Sequence, residues 1–123
     1  MVIDTSIFIE FLRAKDKTKS VLYSISKVPP LAISTITLYE LLMGATDSNK
    51  LNDIKLLTDD LLILDFDSRV ANKSSEIYHQ LRIDNKMIEF RDIFIAATCI
   101  VNQMPIKTLN VKHFERIKGL IIV

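Results

Sequence analysis

Cysteine is nearly absent from this chain. Cys99 is the single one in 123 residues, so no internal disulfide and no thiolate zinc site can form. It stands in an apolar helical stretch and reads as a small buried hydrophobe. Glycine occurs twice and proline three times, which predicts short connections, and no repeat, linker or low-complexity segment is visible. No apolar run approaches the length needed to cross a bilayer; residues 93–97 and 120–123 are among the longest. The opening Met-Val-Ile-Asp-Thr-Ser has no basic stretch, no apolar run of signal-peptide length and no cleavage site, which predicts a cytoplasmic protein. An excess of one charge is missing too. Sixteen basic residues stand against fifteen acidic ones, a net charge of +1. That balance excludes little, because carboxylates gathered at one site and cations on its rim cancel in the sum.

What is present is apolar material and alternation. Apolar residues make up 49% of the chain, at the upper end for a soluble protein, and the excess points to a surface covered by a partner. The length suits a single domain over residues 1–123 that buries roughly two-thirds of its unfolded surface. Short apolar runs predict strands at residues 1–3, 31–33, 61–64, 106–109 and 120–123. Periodic segments predict helices at residues 6–13 and 17–27, from Ser34 as cap to about Ala45, from Asp47 or Ser48 through Leu57, and from Asp67 as cap through Leu81. A further helix runs from Asp92 to about Gln103, with a helical turn at residues 111–116. The helix opened by Asp92 is apolar nearly all round and should be central. Alternating strands and helices predict an α/β fold, a three-layer α/β/α sandwich with a mainly parallel sheet. Ligands of such sheets bind at the carboxyl ends of the strands.

The acids near that edge are therefore the informative ones. Asp4 follows the first strand. Glu40 lies in the helix after the second strand, among Leu38, Leu41, Leu42 and Met43, where a carboxylate either faces solvent or is held by a cation. Asp92 opens the buried helix, where the peptide dipoles favour its charge. Asn110 follows the fourth strand. Singly, each acid has an ordinary explanation as a cap or a solvated residue. Jointly they form a set of hard oxygen donors without imidazole or thiolate, which suits Mg²⁺ or Mn²⁺ rather than Zn²⁺. Asp65 and Asp67 follow the third strand and read as a loop residue and a cap.

These residues also carry a resemblance. Val2-Ile3-Asp4-Thr5-Ser6, the segment from Ser34 to Leu41 with Glu40 as its acid, Asp92-Ile93-Phe94-Ile95-Ala96-Ala97, and Thr108-Leu109-Asn110 with Phe114 downstream resemble, in order, the four motifs of PIN-domain ribonucleases. The compact length resembles the VapC-like toxins of VapBC-type toxin–antitoxin pairs. The resemblance implies an Mg²⁺- or Mn²⁺-dependent endoribonuclease. Asp4, Glu40 and Asp92 would be metal-binding acids, and Asn110 would stand where many members have a fourth acid. Thr5, Ser6 and Thr108 would orient ligands or waters. It implies in-line hydrolysis that leaves a 5′-phosphate and a 3′-hydroxyl, with no dedicated general base.

RNA as a substrate calls for cations around the acids. Arg91, Lys112 and His113 are the nearest in sequence, and Lys15, Lys17, Arg82 and Lys86 are further candidates. Glu89 is a candidate to approach the metal through water. The resemblance further implies a homodimer and a small antitoxin, seated in an apolar groove that draws on Phe8, Phe11, Leu12, Leu38, Leu41 and Leu42. Three alternatives stand beside this reading: an RNA-processing PIN nuclease without an antitoxin, a PIN scaffold that binds RNA or a partner without cutting, and a phosphoacceptor receiver domain. The receiver is disfavoured because Asp4 is followed by Thr5 rather than a second acid, and because Lys107 follows Pro105 instead of preceding it.

Overall fold

A computed structural model of the chain describes residues 1–27 and 29–123. Its elements are β1 (Val2–Ile3), α1 (Thr5–Arg13), α2 (Val21–Ser24), β2 (Ala32–Ser34), α3 (Thr35–Gly44), α4 (Ser48–Thr58), β3 (Leu62–Leu64), α5 (Ser68–Ile83), α6 (Phe90–Val101), β4 (Ile106–Lys107) and α7 (Val111–Phe114). The strands form one parallel sheet in the order β3-β2-β1-β4. Because side chains alternate across a strand, each strand feeds two cores. Val2, Ala32, Leu64 and Ile106 pack with Val70, Ile77 and Leu81 of α5 and with Ile93, Ala96 and Ala97 of α6. Ile3 and Ile33 pack on the other face with Ile7 and Phe8 of α1, Leu41 of α3 and Ile54 of α4. Helices thus cover both faces, the three-layer α/β/α arrangement expected. Helix α6 is central, with Ile95, Ala96, Ala97 and Cys99 wholly buried. No helix among the described residues is long and apolar enough to cross a membrane.

Local side-chain chemistry moves several boundaries from where periodicity puts them. The helix expected over residues 17–27 is instead a 3₁₀ turn, Lys17–Lys19, followed by the short α2. Asp16 takes the Thr18 amide at 3.0 Å and Ser20 takes the Tyr23 amide at 3.3 Å, so the backbone finds side-chain partners in place of helical ones. Lys17 is not available to a ligand surface. Its ammonium donates to the carbonyls of Phe11, Leu12 and Ala14 at 2.7, 2.8 and 2.8 Å and closes the negative end of α1. Strand β4 stops at Lys107 rather than Leu109, because the amides of Leu109 and Asn110 go to hydroxyls. Leu109 N–H donates to Ser6 Oγ at 3.1 Å and Asn110 N–H to Thr108 Oγ1 at 2.9 Å. The strand expected at residues 120–123 is reduced to one bridge between Ile106 and Ile122. Helix α6 begins at Phe90 with Glu89 as its cap, so Asp92 lies within the first turn rather than opening it, and the helix ends at Val101 instead of Gln103.

Parallel pairing places the carboxyl ends of all four strands on one edge. Ser34 ends β2 there and caps α3, taking the Thr37 amide at 3.0 Å in full burial. Ser34→Ala is expected to cost about 1–2 kcal/mol of stability, the usual loss for a buried serine cap, measurable as a lower urea midpoint with an unchanged slope.

Candidate active site

Asp4 stands at the sheet edge with 2% exposure and does two things at once. It caps α1, taking the Ser6 amide at 3.4 Å through Oδ2. The same oxygen takes the hydroxyls of Ser6 at 2.7 Å and Thr108 at 2.8 Å. These bonds tie β1, α1 and the segment after β4 together and fix the carboxylate plane. Among the described residues no protein group donates to Oδ1, which leaves that oxygen to the site.

Glu40 reaches the same edge from within α3. Its Oε1 accepts from the Thr5 hydroxyl at 3.1 Å, and Thr5 Oγ1 lies 3.0 Å from Thr37 Oγ1, itself 3.3 Å from Ser34 Oγ. A line of hydroxyls therefore connects the α3 cap to the acid two turns later. Of the two fates open to a carboxylate in so apolar a helix, Glu40 has the second. Arg91 Nη1 lies 3.2 Å from its Oε2, and its side chain is only 13% exposed.

Asp92 projects from the first turn of α6, buried to 9% exposure. Its carboxyl is pushed up to about 6, first by burial and then by the nearby Asp4 charge; His113 and Arg91 pull the other way. His113 Nδ1 lies 3.6 Å from Asp92 Oδ2, an ion pair when the imidazole is protonated. The two aspartates thus feel each other across the edge. Glu40 is linked to them through Thr5, which follows Asp4, and Arg91, which precedes Asp92. Among the described residues no three carboxylate, imidazole or thiol groups are drawn close enough together to hold an ion outright. Arg91 occupies Glu40 instead.

The remaining candidates divide. Asn110 caps α7 through its backbone without a side-chain capping bond and is exposed just past Thr108. Lys112 is exposed on α7 beside His113. Glu89 is exposed and holds Arg91 Nε at 2.7 Å. Arg82 is engaged with the Tyr78 hydroxyl at 2.9 Å. Lys15 lies beyond the far end of α1 and Lys86 in the turn after α5; among the described residues neither pairs with the acids. Asp67 caps α5 as read, its carboxyl held below its ordinary range by the Arg69 side chain and then by the Val70 amide. Asp65 is an exposed loop residue. Of the apolar residues expected to form a groove, Phe8 is fully buried core, Phe11 and Leu38 pack against that core, and only Leu12 and Leu41 line an open groove between α1, α3 and α4.

The profile of the PIN domain family matches residues 1–120. The chain belongs to the PIN-domain family. Among curated PIN relatives it is 36% identical to a protein named ribonuclease VapC1 from Rickettsia felis, over 98% of this chain and 92% of that one. It is 28% identical to ribonuclease VapC1 of Methanocaldococcus jannaschii, over 96% of this chain and 81% of that one. Among solved structures, VapBC-1 from nontypeable Haemophilus influenzae superposes with a TM-score of 0.86 at 26% identity, covering 99% of this chain and 95% of that one. A receiver domain is thereby excluded.

The donor set of this PIN edge suits a divalent ion on its own chemistry. All of the donors are oxygens, and the repulsion between Asp4 and Asp92 is what a shared cation would relieve. Asp4 and Asp92 fit that requirement as they stand, and Glu40 fits it on giving up Arg91. The residue that the motif reading missed is Thr37, fully buried and three residues from both Ser34 and Glu40. That i, i+3, i+6 run of polar groups on an apolar helix was the available signal.

Proposed function

We propose that this protein is an endoribonuclease that hydrolyses RNA phosphodiester bonds with Mg²⁺ or Mn²⁺, and that it is the toxin half of a toxin–antitoxin pair. The observation that carries the reading is the convergence of Asp4 and Asp92 at the carboxyl edge of the sheet, close enough to raise the pKa of Asp92, with Glu40 joined through Thr5. Relatives named ribonuclease VapC along nearly the whole chain support it. Asp4, Glu40 and Asp92 would hold the metal, with Asn110 on the rim. When bound, such an ion lowers the pKa of water and offsets charge on the phosphoryl oxygens.

The chain's own residues supply the geometry. Ser6 and Thr108 hold Asp4 Oδ2, and Thr5 holds Glu40 Oε1, so the acids meet the substrate preorganised. Asn110 in place of a fourth acid lowers the negative charge where the polyanion must approach. Arg91, Lys112 and His113 offer the cations for its phosphates, with Lys15 and Lys86 as outlying ones.

The partner we propose is a small antitoxin, supported by the structural likeness to a VapBC assembly. The groove of about 590 Å³ lined by Ile9, Leu12, Leu41 and Ile54 carries charges of both signs on its walls, Arg13 and Lys50 against Glu40 and Asp53, and suits an apolar segment flanked by charged residues. A homodimer, a single domain over residues 1–123 and a cytoplasmic location complete the proposal. The test is cleavage of a labelled RNA panel by the purified chain. Cleavage should appear with Mg²⁺ or Mn²⁺ and vanish with EDTA, and the product of the adjacent short gene should suppress it. Binding without cleavage under every metal condition would favour the non-cutting scaffold, and cleavage that no neighbouring gene product suppresses would favour the RNA-processing enzyme.

A further inference from the structure

The first turn of α6 holds a side chain that the helix itself does not favour. A cation there faces the positive end of the peptide dipoles, yet Arg91 is the second residue of α6. Two carboxylates keep it in place. Its Nε lies 2.7 Å from Glu89 Oε2, and its Nη1 lies 3.2 Å from Glu40 Oε2. Their surroundings differ. Glu89 is 64% exposed at the side chain, whereas Glu40 is 13% exposed and its other oxygen is already taken by Thr5. A carboxylate so nearly buried requires a positive partner, and Arg91 is that partner. Glu40 thus meets its need for a cation from within the chain.

We propose that Arg91 and a divalent ion exclude one another at Glu40, and that Glu89 is the exposed carboxylate that retains the guanidinium when it leaves. The proposal rests on the reading of Asp4, Glu40 and Asp92 as an ion-binding set. A guanidinium spans two carboxylates with separate N–H groups in a fixed plane, so the Nη1 contact can break while the shorter Nε contact to Glu89 persists. The exchange replaces one positive partner of Glu40 by another and never strands the carboxylate. It also accounts for the absence, among the described residues, of three acids drawn together: the third is occupied. Affinity for the ion is then set by a competition inside the chain as well as by the ligands.

The experiment is calorimetric titration of the intact chain with Mn²⁺. It compares wild type, Arg91→Ala, Arg91→Lys, Glu89→Gln and an Asp4→Asn/Asp92→Asn control, with circular dichroism confirming the fold of each. Arg91→Ala is expected to bind Mn²⁺ roughly five- to tenfold more tightly, the release of a partly exposed ion pair. Arg91→Lys should also bind more tightly than wild type, because one ammonium cannot span both carboxylates. Glu89→Gln should bind less tightly, because the guanidinium then has Glu40 alone. Unchanged binding in Arg91→Ala overturns the proposal. So does tightening in Arg91→Ala with Arg91→Lys at the wild-type value, which would be bulk charge and not exchange. If neither the wild type nor Arg91→Ala binds Mn²⁺ more tightly than the double aspartate control, the ion-binding set itself has failed and the exchange fails with it.

Discussion

Asp4→Asn and Asp92→Asn are each expected to lower RNA cleavage at least about a hundredfold, of order 3 kcal/mol in the barrier, while leaving the fold intact. Both substitutions keep an oxygen of the same shape and remove only charge. At position 4 the amide oxygen can still take the Ser6 and Thr108 hydroxyls and cap α1, the bonds that Asp4 Oδ2 accepts at 2.7, 2.8 and 3.4 Å. What is lost is the negative charge that would hold a divalent ion. The measurement is single-turnover cleavage of a labelled RNA in Mg²⁺ or Mn²⁺, with circular dichroism as the check on folding. Residual activity near wild type in both variants would remove the proposed roles of the two acids. Because the acids would serve one ion, the double variant should fall little further than either single one.

The same Asp92→Asn change is expected to make the metal-free protein more stable at neutral pH, by about 2–3 kcal/mol. The Asp92 carboxyl is raised from 3.8 to about 6 by burial and by Asp4. Well below pH 4 the group is protonated in both folded and unfolded chains and contributes nothing to the difference. Between about pH 4 and pH 6 the unfolded chain releases the proton while the folded chain keeps it, so stability falls with rising pH. Above pH 6 both are ionised and the full cost remains. Asparagine removes this slope. Urea denaturation in EDTA should therefore show the variant ahead of wild type at pH 7 and nearly level with it at about pH 3. A variant less stable at pH 7, or ahead by the same margin at both pH values, would show that the Asp92 charge is not a burden on the fold. The pairing of lost activity with gained stability is the mark of a site whose charges serve a ligand rather than the chain.

The two aspartates and the glutamate were readable as candidates because each stands where periodicity stops or is broken. Asp4 ends an apolar strand, Asp92 interrupts an apolar helix near its start, and Glu40 is a lone charge among leucines. Their hydroxyl neighbours Thr5, Ser6 and Thr108 were readable through the motifs, and the structure places each on an acid. Boundaries were less legible. The helix expected over residues 17–27 fails because Asp16 and Ser20 satisfy backbone amides locally, an effect that hydrophobic periodicity does not register. Lys17 was a candidate cation for RNA and is instead bound to three carbonyls of its own chain, since three converging acceptors exist only once α1 has ended.

By itself the sequence determined the alternation of strand and helix, the central apolar helix, and the hard-oxygen chemistry of the acids. Those features depend on residue type and on spacing along the chain, which local sterics and burial convert directly into structure. Only the tertiary structure decided which groups meet. It set Asp92 against Asp4, seated Arg91 between Glu40 and Glu89, and ran a line of hydroxyls from Ser34 to Glu40. Such pairings join residues far apart in the chain. They follow from the parallel register of the sheet and the packing of α3 against α6, neither of which is encoded in any single segment.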